Sequence, residues 1–183
     1  FELIQSMYKN YGFDMKPLII EKEGKKESKE NTYVLSKNIN GISIKIIITM
    51  DNSDVKEALN DENIDIVGHR GHSFELQEET FCKNYKSRGN QLFFLGSCGS
   101  FREVPDIQKN MPNNYYLCDE NMGVGEDNNQ LLYYIMLAIA NNKTTWQEVR
   151  DFINNSSPDF KLNEKGIVFP DQKGLLLRDY LSK

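Results

Sequence analysis

The chain of 183 residues is poor in the side chains that most often bind metals or form disulfides. It contains two histidines and three cysteines, and no Cys-x-x-Cys pair. An odd number of cysteines at irregular spacing argues against a disulfide framework and against a structural zinc site. The composition therefore predicts free thiols in a reducing compartment, which we take to be the cytoplasm, and no metal site.

Long apolar segments and basic tracts are also missing. The longest apolar run, LLYYIMLAIA at 131–140, is too short to span a bilayer. The net charge is -5, and no basic run is interleaved with aromatic residues as it is in proteins that bind single-stranded nucleic acid. These features predict neither a membrane protein nor a nucleic-acid-binding protein.

Interdomain linkers, internal repeats and low-complexity tracts are absent as well, so residues 1–183 are expected to form a single domain. Because the chain opens on Phe1 rather than on Met, we expect a module of a longer protein, whose other domains are candidate partners. The opening stretch, FELIQSMYKNYGF, has apolar residues at helical spacing, which predicts an amphipathic helix.

The residues from 17 to 50 have the pattern of a β meander. LII and TYVLS flank the charged run EKEGKKESKEN, which predicts a hairpin with a solvated loop. The Asn40-Gly41 pair predicts a tight turn, and ISIKIIITM, with isoleucines at alternate positions, predicts the next strand.

Strand and helix patterns alternate in the rest of the chain. IDIVG, QLFFLG, NYYLCD and GIVF have the pattern of strands, and the longer amphipathic or apolar segments between them have that of helices. Asp127 or Asn128 is expected to cap the longest helix, and Thr145 with Glu148 has the spacing of a capping box. The alternation predicts an α/β fold with a mostly parallel sheet flanked by helices.

The chemistry-bearing residues follow two of these strands. IDIVG is followed by His69 and His72, the two histidines of the chain, and QLFFLG is followed by Cys98. Ligands of an open parallel sheet bind beyond the carboxyl ends of its strands, and neighbouring parallel strands end at one edge. A cysteine becomes a nucleophile when an adjacent imidazole takes its proton. The pattern therefore predicts Cys98 as a nucleophile with one histidine as its base.

The cysteines and histidines also have alternative roles. A cysteine is most often a small buried apolar side chain, and we assign that role to Cys82 and Cys118. His-x-x-His with Cys98 as third ligand is an alternative metal site, but a fourth ligand is missing. An α/β-hydrolase and a papain-like enzyme are both excluded, because each has its histidine after the nucleophile and no histidine follows Cys98.

A histidine before a cysteine, each at the end of an apolar strand, resembles the caspase-like cysteine peptidases, which include caspases, metacaspases, gingipains and CHAT peptidases. The motifs that carry the resemblance are IDIVGHRGHS and QLFFLGSCGS. The helix, strand, acidic loop and apolar helix that follow are similar to the layout of CHAT-type members. The resemblance implies a three-layer sandwich with a mostly parallel central sheet.

The resemblance also implies roles for individual residues. His72, which follows Gly71, matches the catalytic histidine of the family, and Ser73 stands where the family usually has glycine. Cys98 matches the nucleophile. Metacaspases commonly carry an aspartate two residues before it, whereas this chain has Gly96, so basic specificity does not follow from that motif.

The remaining expectations concern the surroundings of this dyad. Backbone N–H groups at Gly71, Ser73 and Cys98 or Gly99 are expected to stabilise the oxyanion, and His69 is expected to orient its neighbours. The loop CDENMGVGED supplies acidic residues that would favour a basic side chain next to the scissile bond, unless Asp127 only caps a helix and the others are solvated. These residues are Asp119, Glu120, Glu126 and Asp127.

Three functions remain open on the sequence. The first is a cysteine endopeptidase that acts on a polypeptide substrate without a cofactor. The second is an inactive caspase-like domain that binds partners or serves as a scaffold. The third is a hydrolase or transferase that uses the same dyad on an acyl group other than a peptide.

Overall fold

The structure, a computed structural model, describes residues 3, 6–49, 53–76, 81 and 85–175. They form a three-stranded antiparallel sheet followed by a four-stranded mixed sheet with helices. The α/β class and the N-terminal meander are thus confirmed. Among the described residues, no helix combines the length and apolar character that crossing a bilayer requires.

The meander consists of β1 (Asp14–Lys22), β2 (Lys25–Ile39) and β3 (Ile42–Ile48). The charged run was expected to be a loop. It instead forms the ends of β1 and β2, which pair in register as far as Lys22 and Lys25. Most of this hairpin end is exposed on both faces, so its charged side chains extend into solvent while the backbone groups pair, whereas Lys29 forms an ion pair with Asp54. The turn itself is Glu23 and Gly24, with φ of 52° and 74°.

One face of the meander packs on the longest helix of the chain. Buried Met7, Phe13 and Leu35 contact Met136 of that helix, and alternate isoleucines of β3 are partly buried against them. Met7 belongs to a π-helical turn, Ser6–Asn10, which is the described part of the helix expected at the start of the chain. Residues 1, 2, 4 and 5 lie outside the described residues.

The second sheet contains, in spatial order, β4 (Ile66–His69), β5 (Leu92–Leu95), β6 (Tyr115–Asp119) and β7 (Ile167–Val168). β4, β5 and β6 are parallel, and β7 runs antiparallel to β6. The prediction that the strands before the histidines and before Cys98 are parallel neighbours is confirmed. The register places His69 opposite Leu95, and Leu95 opposite Cys118.

Helices cover both faces of this sheet. Phe93 and Leu95 face a core shared with α1 (Ser53–Ala58) and α2 (Val104–Asn110). Leu92 and Phe94 face the opposite core, shared with α3 (Gly125–Ala140) and α4 (Trp146–Ser156). Burial on both faces explains why β5 is apolar at every position. A helix, or a helix plus a loop, was expected within 74–90. Of these residues, 77–80 and 82–84 lie outside the described residues, and 85–88 are not helical.

The two predicted helix caps have opposite outcomes. At α4 the capping box is confirmed: the Glu148 N–H donates to Thr145 Oγ1 (3.2 Å), and the Thr145 N–H donates to Glu148 Oε2 (3.0 Å). At α3 the prediction is wrong, because the N-cap is Val124, in extended conformation, and the helix begins before Asp127 and Asn128. Both side chains are engaged elsewhere, as described below.

Candidate active site

The histidine and cysteine segments leave the sheet at the same edge. β4 ends at His69 and β5 at Leu95, directly opposite each other. The Gly96 N–H donates to the His69 carbonyl oxygen at 3.1 Å, which extends the pairing by one residue. Beyond this bond the two segments that follow β4 and β5 turn away from the sheet, and these turns carry His72 and Cys98.

Cys98 is exposed at the end of a buried segment. Residues 91–97 are all buried, whereas Cys98 is accessible. Gly99 then adopts a left-handed conformation, with φ of 64°, which glycine tolerates best. Buried Ser100 fixes the turn, because its hydroxyl donates to the Leu95 carbonyl (2.6 Å) and accepts from the Asp119 N–H (2.9 Å). The Cys98 turn is therefore held to the ends of both β5 and β6.

A segment after β6 lies across the cysteine. The Cys98 thiol donates to the Gly123 carbonyl oxygen at 3.8 Å. The Gly99 N–H, one of the expected oxyanion donors, donates to the Asn121 carbonyl oxygen at 2.6 Å. Two carbonyl oxygens of the segment 121–123 thus engage the thiol and this donor, so the Gly99 N–H binds an oxyanion only if Asn121 is displaced.

The two histidines lie in different environments. His69 is 9% exposed, and its Nε2 is 3.6 Å from Glu75 Oε2. His72 is exposed, and its ring stacks on Phe74, with 5.3 Å between centroids and 9° between planes. Phe74 is itself 62% exposed. His72 is therefore the imidazole that a substrate can reach from solvent.

Gly71 packs closely against the side chains of Glu75 and His69. A Cβ atom at this position would lie 2.4 Å from Glu75 Oε2 and 2.8 Å from His69 Nε2. Glu75 was missed by sequence reasoning, although its spacing of three residues from His72 is that of a side chain folding back on a turn. Ser73 is partly buried within the same turn, where its carbonyl accepts from the Leu76 N–H at 3.2 Å.

Asp119 lies beside the Cys98 turn. It is 4% exposed and accepts a hydrogen bond from Asn128 Nδ2 at 2.9 Å. A Cβ at Gly123 would lie 2.5 Å from Asp119 Oδ2 and 3.3 Å from the Ser97 carbonyl carbon, so Gly123 fits closely between them. Burial raises the pKa of the Asp119 carboxyl to about 6, an effect that the Asn128 hydrogen bond and the Arg70 charge oppose.

The other three acidic residues of the loop do not join Asp119. Glu120 forms an ion pair with Lys173, and Asp127 forms one with Lys165 at 2.9 Å. Glu126 is exposed in the first turn of α3. The structure therefore brings one of the four expected carboxylates against the cysteine turn.

Arg70 is a second residue that sequence reasoning missed. Its guanidinium donates to the Gly125 carbonyl at 3.0 Å and to the Asn129 side chain. A Cβ at Gly96 would lie 2.8 Å from Arg70 Cδ, so the arginine stem crosses the end of β5 to reach α3. Its position in the sequence, between His69 and His72, did not indicate that it bridges β5 and α3.

The two described cysteines are both free thiols, as expected. Cys118 is buried, and its pKa is raised far above the usual range by burial, with smaller contributions from Asp119 and Glu120. It therefore remains protonated and unreactive. Cys82 lies outside the described residues.

Two other features of the described residues bear on ligands. No group of three or more His, Cys, Asp or Glu side chains within them is arranged to hold a metal ion. An open cleft of about 460 Å³ runs along β7 rather than at Cys98. Its lining consists of Glu120, Arg150, Leu162, Asn163, Gly166, Ile167, Val168, Phe169, Gln172 and Lys173.

Comparison of the chain with protein-family models, with curated proteins and with solved structures found no match.

Proposed function

We propose that the chain is a caspase-like cysteine endopeptidase in which Cys98 is the nucleophile and His72 the base. One observation carries the proposal: β4 and β5 are parallel neighbours whose ends deliver both residues to one sheet edge, each with an exposed side chain. Helices on both faces of the sheet are compatible with the three-layer sandwich of that family.

The difference in exposure favours His72 over His69 as the base. A base must reach the leaving amine of a substrate, and His72 is accessible, whereas His69 is 9% exposed beside Glu75. His69 then acts as an orienting residue. Hydrogen bonds between a nucleophile and its base are often long or poorly aligned until substrate binds, so the thiol contact with Gly123 is compatible with this pairing.

The proposed reaction proceeds in two steps. His72 takes the thiol proton, Cys98 Sγ attacks the scissile carbonyl carbon, and the imidazolium gives its proton to the leaving nitrogen as the C–N bond breaks. Water then attacks the thioester, with His72 accepting a proton from it, and the Sγ–C bond breaks to release the acid and restore the thiol. Neither step requires a cofactor.

Backbone N–H groups stabilise the oxyanion in this proposal. The N–H groups of Gly71, Ser73 and Cys98 are the proposed donors. The Gly99 N–H donates to the Asn121 carbonyl oxygen at 2.6 Å. It becomes a further oxyanion donor once the substrate carbonyl replaces the Asn121 carbonyl. Displacement of the segment 121–123 is therefore part of substrate binding.

Asp119 is the proposed determinant of specificity. Its carboxylate lies next to the Cys98 turn, across Gly123, and an ionised carboxylate at this point favours a basic side chain beside the scissile bond. Glu120 and Asp127 contribute less, because each is paired with a lysine.

An inactive domain that binds partners is the second candidate. The observation that favours it is the engagement of the thiol by Gly123 and of the Gly99 N–H by Asn121. If this segment cannot be displaced, the site is closed to a peptide carbonyl and the fold serves for binding alone.

Cleavage of a peptide library by the wild-type chain and by Cys98→Ala tests the proposal. We expect cleavage by the wild type only, with Lys or Arg enriched next to the scissile bond. Cleavage after Asp or Glu with Lys and Arg excluded would refute the acidic pocket and leave the peptidase intact. Absence of cleavage by both proteins, or equal cleavage by both, would refute the peptidase and favour the binding domain.

A further inference from the structure

Glu75 contacts His72 at both of its backbone polar groups. Glu75 Oε2 accepts the His72 N–H at 3.0 Å, and the Glu75 N–H donates to the His72 carbonyl oxygen at 3.1 Å. The same carboxylate oxygen is 3.6 Å from Nε2 of buried His69. One side chain thus connects the end of β4 to the turn that carries the exposed imidazole.

The Glu75 carboxylate lies over the backbone of Gly71. A Cβ at that position would lie 2.4 Å from Glu75 Oε2, so a side chain there would displace the carboxylate. The Glu75 side chain is 28% exposed, so the contact is partly shielded from water. A hydrogen bond from a backbone N–H to a carboxylate is stronger than one between neutral groups. The backbone of His72 is therefore fixed at the residue whose side chain must meet Cys98.

We propose that Glu75 is a positioning residue for the catalytic imidazole, which it holds through the His72 backbone. This inference rests on the proposed peptidase function. Glu75 touches neither the substrate nor the reacting atoms. Its contribution is to the geometry of proton transfer, which affects turnover and leaves substrate binding unchanged.

The test compares three substitutions by steady-state kinetics on the preferred library peptide. We expect Glu75→Ala to lower kcat by on the order of 10- to 100-fold with KM unchanged, because the imidazole loses its fixed position. Glu75→Gln keeps an oxygen acceptor for the His72 N–H and should retain kcat within about fivefold. Glu62→Ala, at an exposed acidic residue of the preceding loop, is the control and should match the wild type.

Amide hydrogen exchange of His72 gives a readout that does not depend on activity. Loss of its acceptor in Glu75→Ala should speed exchange by roughly tenfold or more, whereas Glu75→Gln and Glu62→Ala should leave it protected. Unchanged exchange in Glu75→Ala, or a higher KM with unchanged kcat, would overturn the role of Glu75. If exchange is faster in Glu75→Ala but the wild type shows no Cys98-dependent cleavage, the contact between Glu75 and His72 is supported and only the peptidase function is refuted.

Discussion

Cys98 and Cys118 show how position in a strand changes the chemistry of a thiol. Cys118 lies within β6 with its side chain in the core, and burial raises its pKa and removes it from solvent. Cys98 lies beyond the end of β5, on an exposed turn. The burial of Cys118 was expected from the sequence, and glycine and serine on both sides of Cys98 indicate a turn rather than a strand interior.

The first prediction follows from this difference. Limiting iodoacetamide near neutral pH should alkylate Cys98 at least about tenfold faster than Cys118. Cys98 is accessible and has a base in the proposed dyad, whereas Cys118 is buried and its pKa is raised. Peptide mass spectrometry measures the labelling of all three cysteines, and Cys98 should also precede Cys82. Cys98→Ser is the control. Equal labelling of the three, or preference for another, would contradict an activated Cys98.

Asp119 leads to a prediction about pH and stability. Its pKa of about 6 in the folded chain exceeds the ordinary value of 3.8, so the folded state binds the proton more tightly. The wild type therefore loses stability as the pH rises from about 4 to 6. Asp119→Asn avoids this loss and should be more stable than wild type at pH 8 by up to about 3 kcal/mol, with no such advantage at pH 3.5.

Denaturant unfolding between pH 3.5 and pH 8 measures this difference, with the exposed Asp159→Asn as control. Asparagine at 119 can still accept the hydrogen bond from Asn128, so the comparison isolates the charge. A stability difference between Asp119→Asn and wild type that stays constant over this range would contradict the raised pKa.

The strands and helices show where sequence patterns are sufficient. β5 was predictable because a strand buried on both faces has no polar alternation, and α4 because Thr145 and Glu148 complete a capping box. The cap of α3 was mispredicted because Asp127 and Asn128 serve tertiary partners, Lys165 and Asp119. A side chain of capping type carries no local sign of a distant partner.

The segment 121–123 could not have been placed from its sequence. Its contacts with the cysteine turn run through backbone carbonyls, which every residue possesses. The one local sign is Gly123, which packs where a side chain would collide with Asp119. Glycine in an acidic loop is common, so the pattern indicated a solvated loop equally well.

This packing makes Gly123→Ala informative. Its Cβ would lie 2.5 Å from Asp119 Oδ2, so the segment must shift away from the cysteine turn. We expect a loss of about 1–3 kcal/mol in the free energy of unfolding. We also expect faster alkylation of Cys98, because the Gly123 carbonyl no longer holds the thiol.

The control for this substitution is Gly68→Ala in β4. The nearest atom to a Cβ there is 3.5 Å away, an ordinary contact, so stability and alkylation should change little. If Gly123→Ala leaves the alkylation rate of Cys98 at the wild-type value although stability falls, the segment does not restrict the thiol.

Helix α3 connects the separate parts of the fold. Leu131 and Ile135 pack on the four-stranded sheet, Met136 packs on the meander, and Asn128 in its first turns binds Asp119 beside the cysteine turn. Among the described residues, α3 thus links the meander to the site. The α/β class and the meander were predictable from hydrophobic periodicity, whereas this docking was not, because it depends on which apolar face of α3 each layer covers.

The central claim is that His72 and Cys98 act as one catalytic unit, and kcat/KM for the preferred peptide in matched variants tests it most directly. His72→Ala should lower kcat/KM by roughly 10²- to 10⁴-fold and approach the inactivity of Cys98→Ala, because it removes the base. The double variant His72→Ala/Cys98→Ala should be little worse than either single variant, as is usual for residues that act together. His69→Ala should keep measurable turnover.

Two results would contradict this account in different ways. Loss of activity in His69→Ala with retention in His72→Ala would reverse the assignment of the histidines. Full activity in both single histidine variants would show that the dyad is wrong, because cleavage would then depend on neither imidazole.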